Sequence, residues 1–258
     1  MKKTWRYLLI LCIGILFAGC TQQSHEKQEP PKKEEAKMII GVAKNNAPYY
    51  STDIAGNPEG LYVELMNALS ERGNFAFEFL DVSPVQAKEM ITQGKCDAFL
   101  GVCELELDER EELLQRGAFY SSPLYLVTPK AGGLKDADEL RDRKIAATAL
   151  SSAEEYARKT AIRHGGDAVT FQDEETALLD MEGGYSQAMA IDGNRLSVLI
   201  QNGKKLRVLK KSEKILEKHR ITVLSDSESA GILWNSLKEI KKDKTLDELV
   251  LAMQETVE

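Results

Sequence analysis

The sequence predicts an α/β fold with largely parallel sheets, and two observations carry that reading. Strand-like and helix-like segments alternate through nearly the whole chain after residue 37. That is the pattern of helices crossing over between parallel strands. A short unit also recurs: a helix stops on glycine and a brief apolar strand then runs to a small or acidic residue. It is seen at Gly94 to Gly101 and again at Gly183 to Asp192. Two similar α/β lobes would produce such an echo. The 258 residues suffice for two lobes of ordinary size. At 43% hydrophobic and 29% charged, the composition excludes a disordered or fibrous chain.

The elements follow in order. Residues 38–44 (MIIGVAK) read as a buried strand. Residues 60–72 read as a helix with Leu61, Leu65, Ala68 and Leu69 on one face and Gly73 as its stop. A strand over 75–82, a helix over 85–93 ended by Gly94, and strands over 96–103, 123–128 and 144–148 come next. The helix over 151–163 opens with two overlapping capping boxes, Ser151 with Glu154 and Ser152 with Glu155. A strand over 168–172, a helix over 174–181, a strand over 187–192 and a helix over 195–201 repeat the alternation. Short strands over 206–209 and 220–224 and helices over 227–241 and 246–256 complete it. In such sheets ligands sit beyond the carboxyl ends of the strands. That places Gly101 to Glu104 and Ile191 to Gly193 at the floor of a shared cleft.

Ahead of this body lies an address. Lys2, Lys3 and Arg6 precede an apolar run over 7–18, shorter than the roughly 20 residues that span a bilayer. The run closes on Phe17, Ala18, Gly19 and Cys20, which resembles a bacterial lipobox with Phe17 where Leu is usual. The resemblance implies a signal peptide over 1–19 and lipidation of Cys20, palmitate included. Two or three acyl chains anchor stably where one is marginal. Residues 20–37 are Gln, Glu, Lys and Pro with almost nothing apolar, the composition of a disordered tether.

Charge and residue counts remove several functions. The formal charge of −7 becomes −10 once the three cations of the signal leave. No stretch of the body is clearly basic, which argues against nucleic acid. Three His residues, one in the tether, argue against a metal site or a Ser-His-Asp hydrolase. Neither cofactor nor metal is expected. Cys96 and Cys103, seven apart on an extended strand, would stand roughly 23 Å apart, too far for a disulfide.

With these elements in place, residues 38 to about 250 resemble a type II periplasmic-binding-protein fold. More closely they resemble the family 3 bacterial extracellular solute-binding proteins, the polar amino-acid lipoproteins of ABC importers. The motifs are Ile40-Gly41-Val42-Ala43 with Ala47-Pro48-Tyr49, Gly60-Leu61-Tyr62-Val63-Glu64-Leu65 and Gly94-Lys95-Cys96-Asp97-Ala98. Further ones are Asp108-Glu109-Arg110, Tyr120-Ser121-Ser122-Pro123, Leu140 to Ile145, Ser151 to Glu155 and Ala190-Ile191-Asp192. The stretch from Gly101 to Arg110 is two residues longer than the family's and lacks its Thr, and Leu150 stands in place of a Gly.

The resemblance implies two lobes, 38–127 with 221–258 and 128–220, joined by crossings near 127–130 and 219–223. It implies a ligand captured by closure of these lobes. A zwitterion needs both signs: Arg110 would hold its carboxylate bidentately, and Asp192 its ammonium. Ser151 and Ser152 lie at a helix N-terminus suited to a carboxylate. Tyr49, with Tyr50 and Tyr120, would wall the site, and Cys103 or Glu104 would stand in for the missing Thr. The implied function is an extracytoplasmic, membrane-anchored solute-binding lipoprotein, not an enzyme. It would deliver a small amino-acid-like ligand to an ABC permease and its ATPase, as the chain carries no ATP-binding loop. A ligand-sensing or structural lipoprotein with an altered site, or a dehydratase-like enzyme on the same fold, are the alternatives.

Overall fold

A computed structural model describes residues 37–105 and 112–257. The signal, the tether and Arg110 lie outside the described residues.

Among the described residues, one nine-stranded sheet runs through both lobes. In the first lobe β1 (Lys37–Val42) pairs in parallel with β4 (Ala76–Asp81) and with β5 (Ala98–Gly101). A small hairpin, β2 (Ser51–Thr52) and β3 (Pro58–Glu59), stands apart from the sheet. Helices α1 (Leu61–Gly73) and α2 (Pro84–Thr92) pack on this half, with α6 (Glu228–Lys242) and α7 (Thr245–Val257) returning from the C-terminus. The core beneath them joins Ile40, Leu65, Leu69, Leu100, Ile221, Leu233 and Ile240. In the second lobe β8 (Lys144–Thr148) pairs in parallel with β9 (Asp167–Phe171) and β10 (Ala188–Asp192). Helices α3 (Ser152–His164), α4 (Glu174–Glu182) and α5 (Gly193–Gln201) cover it.

Two strands connect the lobes. β7 (Tyr120–Pro129) and β11 (Leu206–Leu224) run antiparallel, from Leu206 opposite Pro129 to His219 opposite Tyr120. β11 then continues against β5 and β6 (Leu113–Gln115) of the first lobe. The sheet is therefore parallel at its flanks and antiparallel along the hinge. The 19-residue β11 replaces the two short strands expected from sequence. Residues 210–218 are mostly charged and show no apolar alternation, so the strand is legible only from its ladder with β7. Along β7, Tyr120 packs in the first lobe's core while Leu124 and Leu126 pack in the second's. On that strand the change from one core to the other falls between Tyr120 and Leu124.

Most other elements start and stop close to their sequence signals. Ser83, Ser151, Asp173 and Ser227 cap α2, α3, α4 and α6. Helix α1 runs through Gly73 and ends on Asn74 in the left-handed region. The strand expected over 96–103 shortens to Ala98–Gly101.

Candidate functional site

The cleft between the lobes encloses about 940 Å³ and draws its walls from both of them and from the hinge. Its first-lobe wall is set by a close backbone approach. At Gly60 (φ +107°) a Cβ would lie 2.6 Å from the Tyr49 carbonyl oxygen and 2.7 Å from that of Pro48. Only glycine fits there. The first N–H groups of α1 consequently donate to these carbonyls, Leu61 to Pro48 at 3.0 Å and Tyr62 to Tyr49 at 2.8 Å. Tyr49 is thereby held buried at the cleft, stacked on Tyr62 at 5.6 Å between centroids and 4.2 Å from the His219 ring.

The second-lobe wall is built on two helix starts. Asp192 ends β10 and caps α5, accepting from the Asn194 and Arg195 N–H groups at 2.8 and 3.0 Å. The same carboxylate accepts from Tyr49 Oη at 2.8 Å and from Ser122 Oγ. Four protein donors thus satisfy a buried charge. Asn194 Nδ2 donates to Tyr120 Oη at 2.6 Å and Tyr49 Oη at 3.1 Å. Arg195 donates to the Ala47 carbonyl and, through Nε at 2.9 Å, to Glu174. Burial, together with the negative charge of Asp192, holds the Tyr49 phenol well above its ordinary range. These contacts join the lobes around Asp192.

At the second helix start, Ser151 caps α3 by accepting from the Glu154 N–H at 3.1 Å. Of the two capping registers, this is the one adopted. The Glu154 side chain accepts from the Leu150 N–H at 2.9 Å. Leu150, at φ +55°, occupies a left-handed conformation that favours glycine. Its carbonyl accepts from the Glu104 N–H at 2.8 Å, a link between the lobes that depends on that turn. The next two N–H groups of α3, from Ser152 and Ala153, donate to Glu217 at 2.9 and 3.2 Å. Glu217 comes from β11 and is 4% exposed. Burial pushes its carboxyl up to about 7, nearby Asp192 adds to the rise, and the α3 donors oppose it.

Matched against known proteins, the model of the bacterial extracellular solute-binding proteins, family 3, covers residues 38–252. The chain belongs to that family. A probable histidine-binding protein of Neisseria gonorrhoeae is 23% identical over 141 residues, 55% of this chain. The matched stretch spans about half of that curated relative, 52%. Among solved structures, an ancestral arginine-binding protein bound to arginine superposes with a TM-score of 0.72 at 18% identity, covering 84% of this chain and 97% of its own. The arginine-, lysine-, histidine-binding protein ArtJ from Geobacillus stearothermophilus gives 0.70 at 16%, covering 83% and 93%. At such identities these likenesses establish the two-lobed fold.

In this family 3 solute-binding protein the expected site residues take different places. Tyr49, Ser151 and Asp192 line the cleft. Ser152 is buried beside it, its Oγ 3.2 Å from Glu104 Oε1. Tyr120 reaches the cluster through Asn194, whereas Tyr50 packs on Phe79 in the first lobe. Cys103 faces away from the cleft. Val102 lines the cavity, and the following side chain turns into the first-lobe core beside Leu113, with Sγ 3.7 Å from the Pro84 carbonyl. Cys96 and Cys103 are buried in that same apolar cluster, and burial raises the Cys96 thiol to about 11. Glu104 pairs with Arg220 at 2.9 Å rather than standing free. Arg110 lies outside the described residues. Among the described residues no helix is long and apolar enough to cross a membrane, and no group of His, Cys, Asp and Glu is placed to hold a metal ion.

Sequence reasoning missed Ser122, Asn194, Glu217 and His219. The last two carried a faint signal: they are two apart on one strand and so share a face. Their stretch reads as charged surface until the strand is known.

Proposed function

We propose that the chain is the extracytoplasmic solute-binding lipoprotein of an ABC importer, capturing a small amino-acid-related solute between its lobes. The observation that carries this reading is the cleft. Both lobes supply its walls, and the strands β7 and β11 pass from one to the other as an antiparallel pair whose register shifts between Lys211 and Leu216, the construction of a hinge-bending receptor. Family membership supports the solute-binding role, and the ligands named for its relatives, arginine and histidine among them, support a nitrogenous solute. Lipidation at Cys20 with a tether over 20–37 supports retention at the outer face of the membrane, within reach of a permease.

Thermal unfolding of the full chain in non-ionic detergent against amino acids and amines tests the binding role. A ligand at 100 times its Kd adds roughly 2.7 kcal/mol, and the reading fails if no member of the panel shifts the transition. Labelling of cells with radioactive palmitate tests the anchor, with label expected in the wild type and lost in Cys20→Ala.

A further inference from the structure

The start of α3 is the natural seat for a ligand's carboxylate, since a helix N-terminus offers free N–H groups and a favourable dipole. Here that seat is filled from within. The Ser152 and Ala153 N–H groups each hold one oxygen of Glu217. Glu217 lines the cleft and is almost wholly buried.

The charges around the cleft point the same way. Among the described residues, its lining cations are Lys44, Arg195 and Lys204. Each is already paired: with Asp81 at 3.0 Å, Glu174 at 2.6 Å and Glu182 at 2.9 Å. The lining carboxylates are Asp81, Asp173, Glu174, Glu175, Asp192 and Glu217, twice as many. A further observation comes from the floor. His219 is 1% exposed, and its Nε2 has no hydrogen-bond partner, standing 3.6 Å from Asp192 Oδ2. Its Nδ1 is engaged with Tyr62 Oη at 2.7 Å. Among the described residues one hydrogen-bonding position beside Asp192 is thus without a partner.

We propose that Glu217 is a built-in substitute for the ligand's carboxylate, so that the cleft selects an organic cation with no free carboxylate, such as an amine or a guanidine. This rests on the solute-binding reading above and names the ligand class of that same cleft. A zwitterion would have to expel Glu217 from the α3 donors, leaving that charge buried beside Asp192 without its partners. A cation meets no such obstacle. It is drawn in by the excess of negative charge, and its presence favours the ionised form of Glu217.

Matched pairs isolate the carboxylate: arginine against agmatine, lysine against cadaverine, histidine against histamine. Calorimetric titration of the full chain in non-ionic detergent gives the Kd of each. The expected result is that at least one decarboxylated partner binds tenfold or more tightly than its amino acid. In Glu217→Gln that amine should lose tenfold or more in affinity, and Glu217→Ala should shift preference toward the amino acid by emptying the α3 donors. An amino acid bound more tightly than its amine by the wild type, with that binding lost in Arg110→Ala, overturns the proposal and leaves the solute-binding reading standing. Binding of neither set overturns both. The wild-type comparison decides the matter even if neither Glu217 variant folds.

Discussion

Helices α3 and α5 both begin at the cleft, and a buried carboxylate occupies the start of each. At α5 the acid is Asp192, the cap residue itself, bonded to N–H groups two and three positions on. At α3 the acid is Glu217, 65 and 64 residues away from the N–H groups it accepts. The two ends look alike electrostatically and differ entirely in origin. One is a local motif that any chain with this sequence would tend to form. The other exists only once the hinge strand has been laid beside the second lobe. A local cap fixes a helix. The distant one also ties the hinge to the helix and decides what a ligand can find there.

The largest effect should come from the local acid, because it does more than cap. Asp192→Ala leaves two hydroxyls and two N–H groups without their acceptor in a buried setting. A loss of about 3–5 kcal/mol in urea unfolding is expected, and a loss under 1 kcal/mol would show that the lobes do not depend on it.

The distant acid should reveal itself through pH. Its folded pKa is raised to about 7 from the ordinary 4.5. The folded state therefore binds the extra proton between these values, and stability from this group falls as pH rises through that window. The difference between wild type and Glu217→Gln should change by about 3 kcal/mol between pH 4.5 and 8. Parallel pH profiles for the two proteins would refute the buried setting assigned to Glu217.

Tyr49→Phe keeps the ring stack and removes the bond across the cleft to Asp192 together with the one accepted from Asn194. It should cost about 1–2 kcal/mol, and small-angle scattering should show a larger share of open lobes. Ser151→Ala removes a local cap from α3 while Glu217 still holds the next two N–H groups. About 1 kcal/mol is expected. A cost equal to that of Tyr49→Phe or more would mean that the local cap outweighs the distant one.

How much of this was legible beforehand follows the same division. The start of α3 at Ser151 was readable because a cap needs only a side-chain oxygen and an N–H two or three positions on. The strands β1, β4, β8 and β10 were readable from their apolar runs. Asp192 was readable as a cleft residue from its place at a strand end. Cys103 was not placed correctly, because adjacent side chains near a strand end face opposite ways and one position moves a residue from cleft to core. The break expected in β11 falls where its register against β7 shifts between Lys211 and Leu216, and pairing resumes at Leu216 to His219 whatever the charge of the side chains.

By itself the sequence determined the α/β alternation, the cap of α3, the positions of the cleft-facing strand ends and the acidic balance. Each depends on side chains within a few positions of one another or on composition alone. Only the tertiary structure decided that β11 runs as one strand through both lobes and that Tyr49 and Ser122 converge on Asp192. It alone decided that Glu217 fills the start of α3. Those contacts join residues far apart in the chain, and their partners are chosen by the packing of the two lobes on a shared sheet.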